Sequence, residues 1–308
     1  MVEIISVLSR LIVCLLFSPF LLGVIGKTKA FFAGRQGPPV LQPYYDILKL
    51  IQKGSVYSLT TTWIFRAAPL ISLSAVLVSS FLIPFGSLKA PVQFWGDVLL
   101  FAYLFGLARF FIVLAALDTG SSFEGMGASR EARFSCLSEV VLFINFAALV
   151  VLSKSFSLSQ MIGESWRSSW SASGPALILV LASHFMILLV ENSRIPIDDP
   201  ATHLELTMIH EVMVLDHSGP DFAFILYAGA IKLFVLGSFL VTILIPPFQS
   251  HNQMMNAAVF LAAMTGLAVA IGIVESVTAR LRLNRIPTFI TGSFVLALFG
   301  LIIILSRA

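Results

Sequence analysis

Six ionisable side chains stand inside or at the ends of long apolar runs, where water cannot solvate them. Arg109 lies near the middle of one run and Lys232 inside another; Glu139 falls in the first third of a run, His184 within one, and Glu191 and Glu275 at the ends of two. A charge at the centre of a bilayer costs at least ~2.5–3.5 kcal/mol, so a retained one has a function by default. His184 and Glu191 are seven residues apart. At 100° per residue this is about 20° short of two turns, which puts both on one helix face. An imidazole and a carboxylate stacked in this way can relay a proton or a cation. The alternative is that each charge neutralises an opposite one, Arg109 or Lys232 against an acid, and simply holds helices together. The bias of Glu139, Glu191 and Glu275 toward one side favours a half-channel for the set.

The segment after Glu191 is the most acidic in the chain. Asp198, Asp199, Glu205, Glu211 and Asp216 follow it, with Asp221 just beyond and Arg194 as the one arginine among them. His203, His210 and His217 recur every seven residues. On a helix that spacing separates neighbours by ~10 Å, too far to share an ion whose bonds are near 2 Å, so no metal site is expected. The segment contains neither a phosphate-cradling glycine-rich turn nor a nucleophile elbow.

The elements that must position these groups follow from composition. Of 308 residues 58% are apolar and 11% charged, and the mean hydropathy is +0.96. Soluble domains carry roughly a quarter charged residues, so the solvent is a lipid bilayer and the net charge of +3 is no nucleic-acid signal. Eight runs approach the ~20 residues of a membrane helix: Ile4–Gly26, Ala67–Gly86, Val98–Leu117, Phe134–Ser153, Pro175–Val190, Phe222–Phe248, Met254–Val274 and Pro287–Leu305. The fifth is short and is expected to take in residues before Pro175 or after Val190. The expected fold class is an all-α integral membrane protein, one polytopic domain over residues 1–308 with no solenoid repeat.

Loop charges alternate. Lys27, Lys29, Arg35, Lys49, Lys53 and Arg66 lie in the first loop, Arg130 and Arg133 in the third, Arg194 in the fifth, and Arg280, Arg282 and Arg285 in the seventh; the other side has Lys89, Lys154, Arg167 and Arg307. The positive-inside rule then puts the odd loops in the cytoplasm and both termini outside. Within the first loop, Tyr44–Lys53 gathers Ile47, Leu48, Leu50 and Ile51 on one helical face, the pattern of an amphipathic helix in the membrane interface or of one packed on other spans. Gly37-Pro38-Pro39 separates it from the first span. The N-terminal run is too long for a signal peptide and reads as an uncleaved span. Cys14 and Cys136 have no iron–sulfur or zinc spacing and read as small buried hydrophobes, so electron transfer is expected on another polypeptide.

Glu191-Asn-Ser-Arg-x-Pro-x-Asp198, then Glu205-Leu and Asp216-His-Ser, resembles the acidic fifth loop of the quinone-proximal membrane subunit of complex I, NADH dehydrogenase subunit 1. Gly34-Arg-Gln-Gly-Pro-Pro-Val-Leu-Gln-Pro-Tyr-Tyr-Asp-Ile-Leu-Lys-Leu, Leu117-Asp-Thr-Gly-Ser, Gly127-Ala-Ser-Arg-Glu131 and Ala279-Arg-Leu-Arg-Leu are similar to one branch of that family, the formate hydrogenlyase and hydrogenase-4 type subunit of group 4 nickel–iron hydrogenase complexes. The resemblance implies a multi-pass subunit of the cell inner membrane with no redox centre of its own. It implies partners too: hydrogenase large- and small-subunit-like proteins and iron–sulfur subunits carrying nickel–iron and iron–sulfur centres on the cytoplasmic face, and antiporter-like subunits in the membrane. Arg35, Arg130, Glu131, Arg194, Arg280 and Arg282 would serve docking. Glu191, Asp198 and Glu205 match funnel acids that would couple redox chemistry to ion movement, and Glu139, in Leu-Ser-Glu, matches the acid of the fourth span; Arg109, His184, Asp199, Glu211, Asp216, Lys232 and Glu275 are expected on the same path. Ala201 and His203 occupy positions that are acidic in the complex I subunit, and Lys232 stands where that subunit tends toward an acid. Two other functions are weighed beside this one: a quinone-binding subunit of a respiratory dehydrogenase, and a stand-alone secondary transporter. The transporter would be expected to show paired halves with interrupted helices.

Overall fold

The computed structural model describes residues 2–85, 90–161, 166–199, 208–245 and 253–307. They form ten α-helices: α1 (Val2–Phe32), α2 (Gln42–Ile51), α3 (Trp63–Ser80), α4 (Asp97–Asp118), α5 (Ser122–Ser153), the single turn α6 (Leu158–Met161), α7 (Trp166–Glu191), α8 (Gly219–Leu244), α9 (Gln253–Val277) and α10 (Ile286–Leu305). Among the described residues, eight helices are long and apolar enough to cross a membrane, all of them at the expected runs. They alternate in direction, so α1, α4, α7 and α9 finish at the end of the bundle where α3, α5, α8 and α10 begin. This is the odd-loop end. Glu205 and His203, and Lys89 on the opposite side, lie outside the described residues.

Helix ends depart from the apolar runs for identifiable reasons. α5 starts at Ser122, not at Phe134, and its 32 residues make a rod of ~48 Å against a hydrocarbon core of ~30 Å. Ser122–Arg133 is polar yet rich in Ala, Glu, Arg and Met, residues that favour the helix without needing lipid. Arg130 and Glu131, expected in a loop, therefore stand on the leading turns of α5. α1 likewise runs on to Phe32 and takes Lys27 and Lys29 with it. α7 does reach back before Pro175, through a break at Ser173 (φ −132°), where the proline withholds an N–H and crowds the preceding turn.

α2 fills Gln42–Ile51 and packs on α1 and α8. Ile47 and Leu50 are half-buried there, whereas Tyr45, Leu48 and Ile51 point outward. The single apolar face expected from sequence is thus divided between the bundle and the surroundings. Aromatic rings fill the interior: Phe101, Phe105, Phe146 and Phe239 meet edge to face or tilted across α4, α5 and α8. Cys14 is buried, but Cys136 is exposed on the outer face of α5, a correction to its expected burial. An apolar run suits a lipid-facing surface as well as a core, and sequence alone does not separate the two.

A short 3₁₀ turn, Glu211–Val214, folds back over α4 and α5. Gly127 admits it: a Cβ there would lie 2.4 Å from Val212 Cγ1 and 2.9 Å from Met213 Cγ. This turn and the start of α8 roof a cavity at the odd-loop end.

Candidate functional site

The cavity has a volume of about 470 Å³, with apolar walls from α1, α3, α4 and α8 and charged groups from Asp46, Arg109, Glu131, Glu191, Arg194, Asp198, Glu211 and Lys232. Its centre is Glu191, at the last turn of α7, whose side chain is only 3% exposed. One carboxylate oxygen receives Lys232 Nζ from α8 at 2.8 Å and the Arg109 guanidinium from α4. The other accepts the Ser138 hydroxyl from α5 at 2.8 Å. Arg109 also donates Nη1 to Glu139 Oε1 at 2.6 Å and holds Nε 3.4 Å from Glu131 Oε1. Lys232 Nζ lies 5.8 Å from the Phe105 ring centre, on its face.

These contacts knit three carboxylates and two cations from four helices into one network. With every member ionised, three negative and two positive charges leave one negative charge in excess. In a low-dielectric interior the desolvation of each ion is compensated only by close opposite charges and full hydrogen bonding. The network supplies both for Glu191. It supplies less for Glu139, whose side chain is 43% exposed.

The other acids of the segment after α7 do different work. Asp198 is buried and caps the chain as it returns, accepting Ile209 N–H at 2.9 Å and His210 N–H at 3.1 Å on one oxygen and Arg280 Nη2 at 2.7 Å on the other. Asp199 is half-buried and donates its N–H to Asp198. Arg130 donates to the Met208 carbonyl at 2.8 Å. Glu275 on α9 has a fully buried side chain between Lys29 (3.0 Å) and Arg194 (3.5 Å), so it ties α1 and the fifth loop to α9 outside the cavity. Arg194 and Arg280 are thereby engaged inside the molecule, whereas Arg35 and Arg282 are exposed. Glu211 is half-buried in the cavity wall; Asp216 is exposed, and its N–H binds Glu124 Oε1 at 3.0 Å. His184 shares the α7 face with Glu191 but lies two turns deeper, its ring against Phe239 at 5.2 Å.

The structure therefore joins Arg109, Glu139, Glu191 and Lys232 directly, adds Glu131, and leaves Glu275, Asp199 and Asp216 apart. Sequence reasoning missed Ser138 as a partner of Glu191, and missed Glu124 and Arg10 altogether. Glu124 is fully buried on the first turn of α5; Arg10 is buried in α1, 4.9 Å from the Phe85 ring centre on its face. A signal for Ser138 existed. Glu131 and Ser138 are seven apart, the same face-sharing interval as His184 and Glu191, and extending α5 upstream would have aligned them.

Eight apolar helices around a buried, mixed-sign charge network at one end define a polytopic integral membrane protein with a charged site inside the bundle. A family model described as NADH dehydrogenase matches residues 5–306, and the chain belongs to that family. It is 28% identical to formate hydrogenlyase subunit 4 of Escherichia coli (strain K12) over 98% of this chain and 99% of that protein. To hydrogenase-4 component C of the same organism it is 29% identical, over 79% of this chain and 76% of that one. Its fold matches a chain in the structure of the membrane-bound sulfane sulfur reductase, an archaeal respiratory membrane complex, with a TM-score of 0.85 and 21% identity over 99% of this chain and 100% of that one. The chain is accordingly a membrane subunit of an oxidoreductase complex of the hydrogenase-4/formate hydrogenlyase or complex I-like kind.

Proposed function

We infer that this subunit anchors a group 4 hydrogenase or formate hydrogenlyase-type complex and moves ions, protons by the chemistry of its acids, in response to redox events on partner subunits. The carrying observation is Glu191, shared by Arg109 and Lys232 on the wall of the cavity. A network with one surplus negative charge becomes neutral on taking up one proton, and a shift of either cation changes which carboxylate holds it. Glu131, Glu211 and Asp198 would feed protons from the cytoplasmic loops, and Glu139 would pass them to the outer face of α4 and α5, where an antiporter-like subunit would sit. The hydrophilic partners would carry the nickel–iron and iron–sulfur centres, this chain holding none. Arg35 and Arg282 are free on the surface to meet them, and the outward residues Tyr45, Leu48 and Ile51 of α2 would lie in the lipid interface. The odd loops face the cytoplasm of an inner membrane in this reading, so a cysteine placed at 199 would be labelled from that side alone.

A second reading has its own support. A cavity of about 470 Å³ with apolar walls and a charged end suits a ring-headed apolar ligand, which would make this the quinone-proximal subunit of a dehydrogenase. Isolation in mild detergent separates the readings. Co-isolation with hydrophilic subunits containing nickel and iron supports the hydrogenase type. Partners without nickel, together with displacement of a quinone analogue from the cavity, would replace it with the quinone type. A monomer catalysing transport in liposomes would refute both.

A further inference from the structure

Deeper than the charged network lies a polar layer that the network does not account for. Asn145 on α5 is fully buried and donates Nδ2 to Ser183 Oγ on α7 at 3.1 Å. Ser183 Oγ lies 3.0 Å from Ser293 Oγ on α10, and Ser293 Oγ donates to the Ser183 carbonyl at 3.0 Å. One arrangement of the hydrogens makes all three bonds at once. The Ser293 hydroxyl serves the carbonyl, the Ser183 hydroxyl serves Ser293, and Ser183 accepts the amide. Asn145 Oδ1 is left with no partner, and turning the amide over only exchanges an orphan acceptor for an orphan N–H. One residue along α7, His184 is 2% exposed. The Leu236 carbonyl of α8 flanks its ring, yet neither ring nitrogen meets a partner in hydrogen-bond geometry.

Hydrogen bonds between membrane helices explain why Asn145, Ser183 and Ser293 meet. They do not explain unpaired polar ends on two neighbouring sites in the middle of a bundle, since buried polar groups are otherwise paired with protein or with ordered water. The positions have a second regularity. Asn145 is seven residues beyond Ser138, the hydroxyl bound to Glu191, and His184 is seven before Glu191 itself. On both helices the layer therefore lies ~10 Å deeper than Glu191.

We propose that Asn145, Ser183, His184 and Ser293 hold ordered water in the middle of the bundle, and that this hydrated layer is the station beyond Glu191 on a proton route across the chain. The water follows from the unpaired groups; the route rests on the ion-moving reading given above. A neutral imidazole can bind a proton at one ring nitrogen and release one from the other, so His184 passes a proton on without keeping it. On this route, waters would have to bridge the two turns between His184 and Glu191.

Synchrotron radiolysis of the intact co-purified complex in oxygen-18 water tests the site. Radicals formed from bound water oxidise the side chains that touch it, whereas bulk radicals do not reach a buried ring. Phe146 and Phe234, 2% and 0% exposed, serve as dry references. His184 should label about tenfold faster than these after correction for intrinsic reactivity, and Asn145→Leu should lower that rate. Labelling of His184 at the rate of the two phenylalanines overturns the water site. Ion uptake per redox turnover in vesicles tests the route. Loss in both Asn145→Leu and Glu191→Gln supports it. Loss in Glu191→Gln alone keeps the ion-moving reading and overturns the route. Normal uptake in both variants, with redox turnover intact, overturns the ion-moving reading and the route together, while the radiolysis result stands separately for the water.

Discussion

The two ends of the bundle solve the same problem with different chemistry. At the even-loop end, α4 begins at Asp97, which is buried and accepts the Ser157 hydroxyl at 2.7 Å and the Leu158 N–H at 2.7 Å. Trp170 donates its indole N–H to the Ile243 carbonyl at 3.1 Å. These are local caps that satisfy one chain end each. At the odd-loop end, Lys29, Arg109, Arg194, Lys232 and Arg280 are each ion-paired to a carboxylate on another element, and a cavity opens among them. Caps would have closed that end at much lower electrostatic cost. A buried ion network is seldom more stable than an apolar replacement, and its presence at this end is what the ion-moving reading proposed above would account for.

The comparison predicts unequal responses to substitution. Removing Arg109, as in Arg109→Met, leaves Glu131, Glu139 and Glu191 facing one another with Lys232 alone. A loss of about 3–5 kcal/mol is expected from breaking such a buried pairing, read as failure to assemble or a collapse of the melting temperature in detergent. Asp97→Ala removes a cap and strands the Leu158 N–H, which should cost about 1–2 kcal/mol and leave assembly intact in a co-purification assay. If Asp97→Ala were the more damaging of the two, the contrast between the ends would fail.

A smaller effect is expected at His217, at the odd-loop end outside the spans. Its ring stacks on Phe65 at 3.9 Å, and burial lowers its pKa from 6.5 to about 4, against a weaker upward pull from Asp221. Below pH 6.5 the unfolded chain takes up a proton that the folded chain refuses until about pH 4, so stability present at neutral pH falls through that window. His217→Phe keeps the stack and removes the titration. Its melting temperature should fall less between pH 6.5 and pH 4 than that of the unaltered protein.

Much of this architecture was legible in the sequence because lipid imposes a simple rule. All eight runs became helices, and the interval between His184 and Glu191 correctly put them on one face. What hydropathy marks, however, is where lipid is, not where a helix stops: α5 starts twelve residues before its apolar run, and Glu131, expected to serve docking, stands beside Arg109. Pairing was legible only as an option. Arg109 finds acids 30 and 82 residues away along the chain, and nothing in a single sequence says which helices touch. The acidic segment after Glu191 looked uniform, yet its members divide by geometry. Asp198 became a backbone cap bound to Arg280, Glu211 joined the cavity wall, and Asp216 stayed exposed. Cys136 shows the same limit at the surface, since lipid-facing and core-facing apolar residues read alike.

Glu191→Gln addresses the central claim most directly. The amide keeps the size of the side chain and can still meet Lys232, Arg109 and Ser138, but it cannot take up and release a proton. The variant should be purified with its partner subunits, its subunit content measured, and ion uptake per redox turnover recorded in vesicles. The account predicts full subunit content with ion uptake per turnover largely lost. A fully assembled variant that still moves ions normally would contradict it, and Glu191 would then be a structural knot among four helices and nothing more.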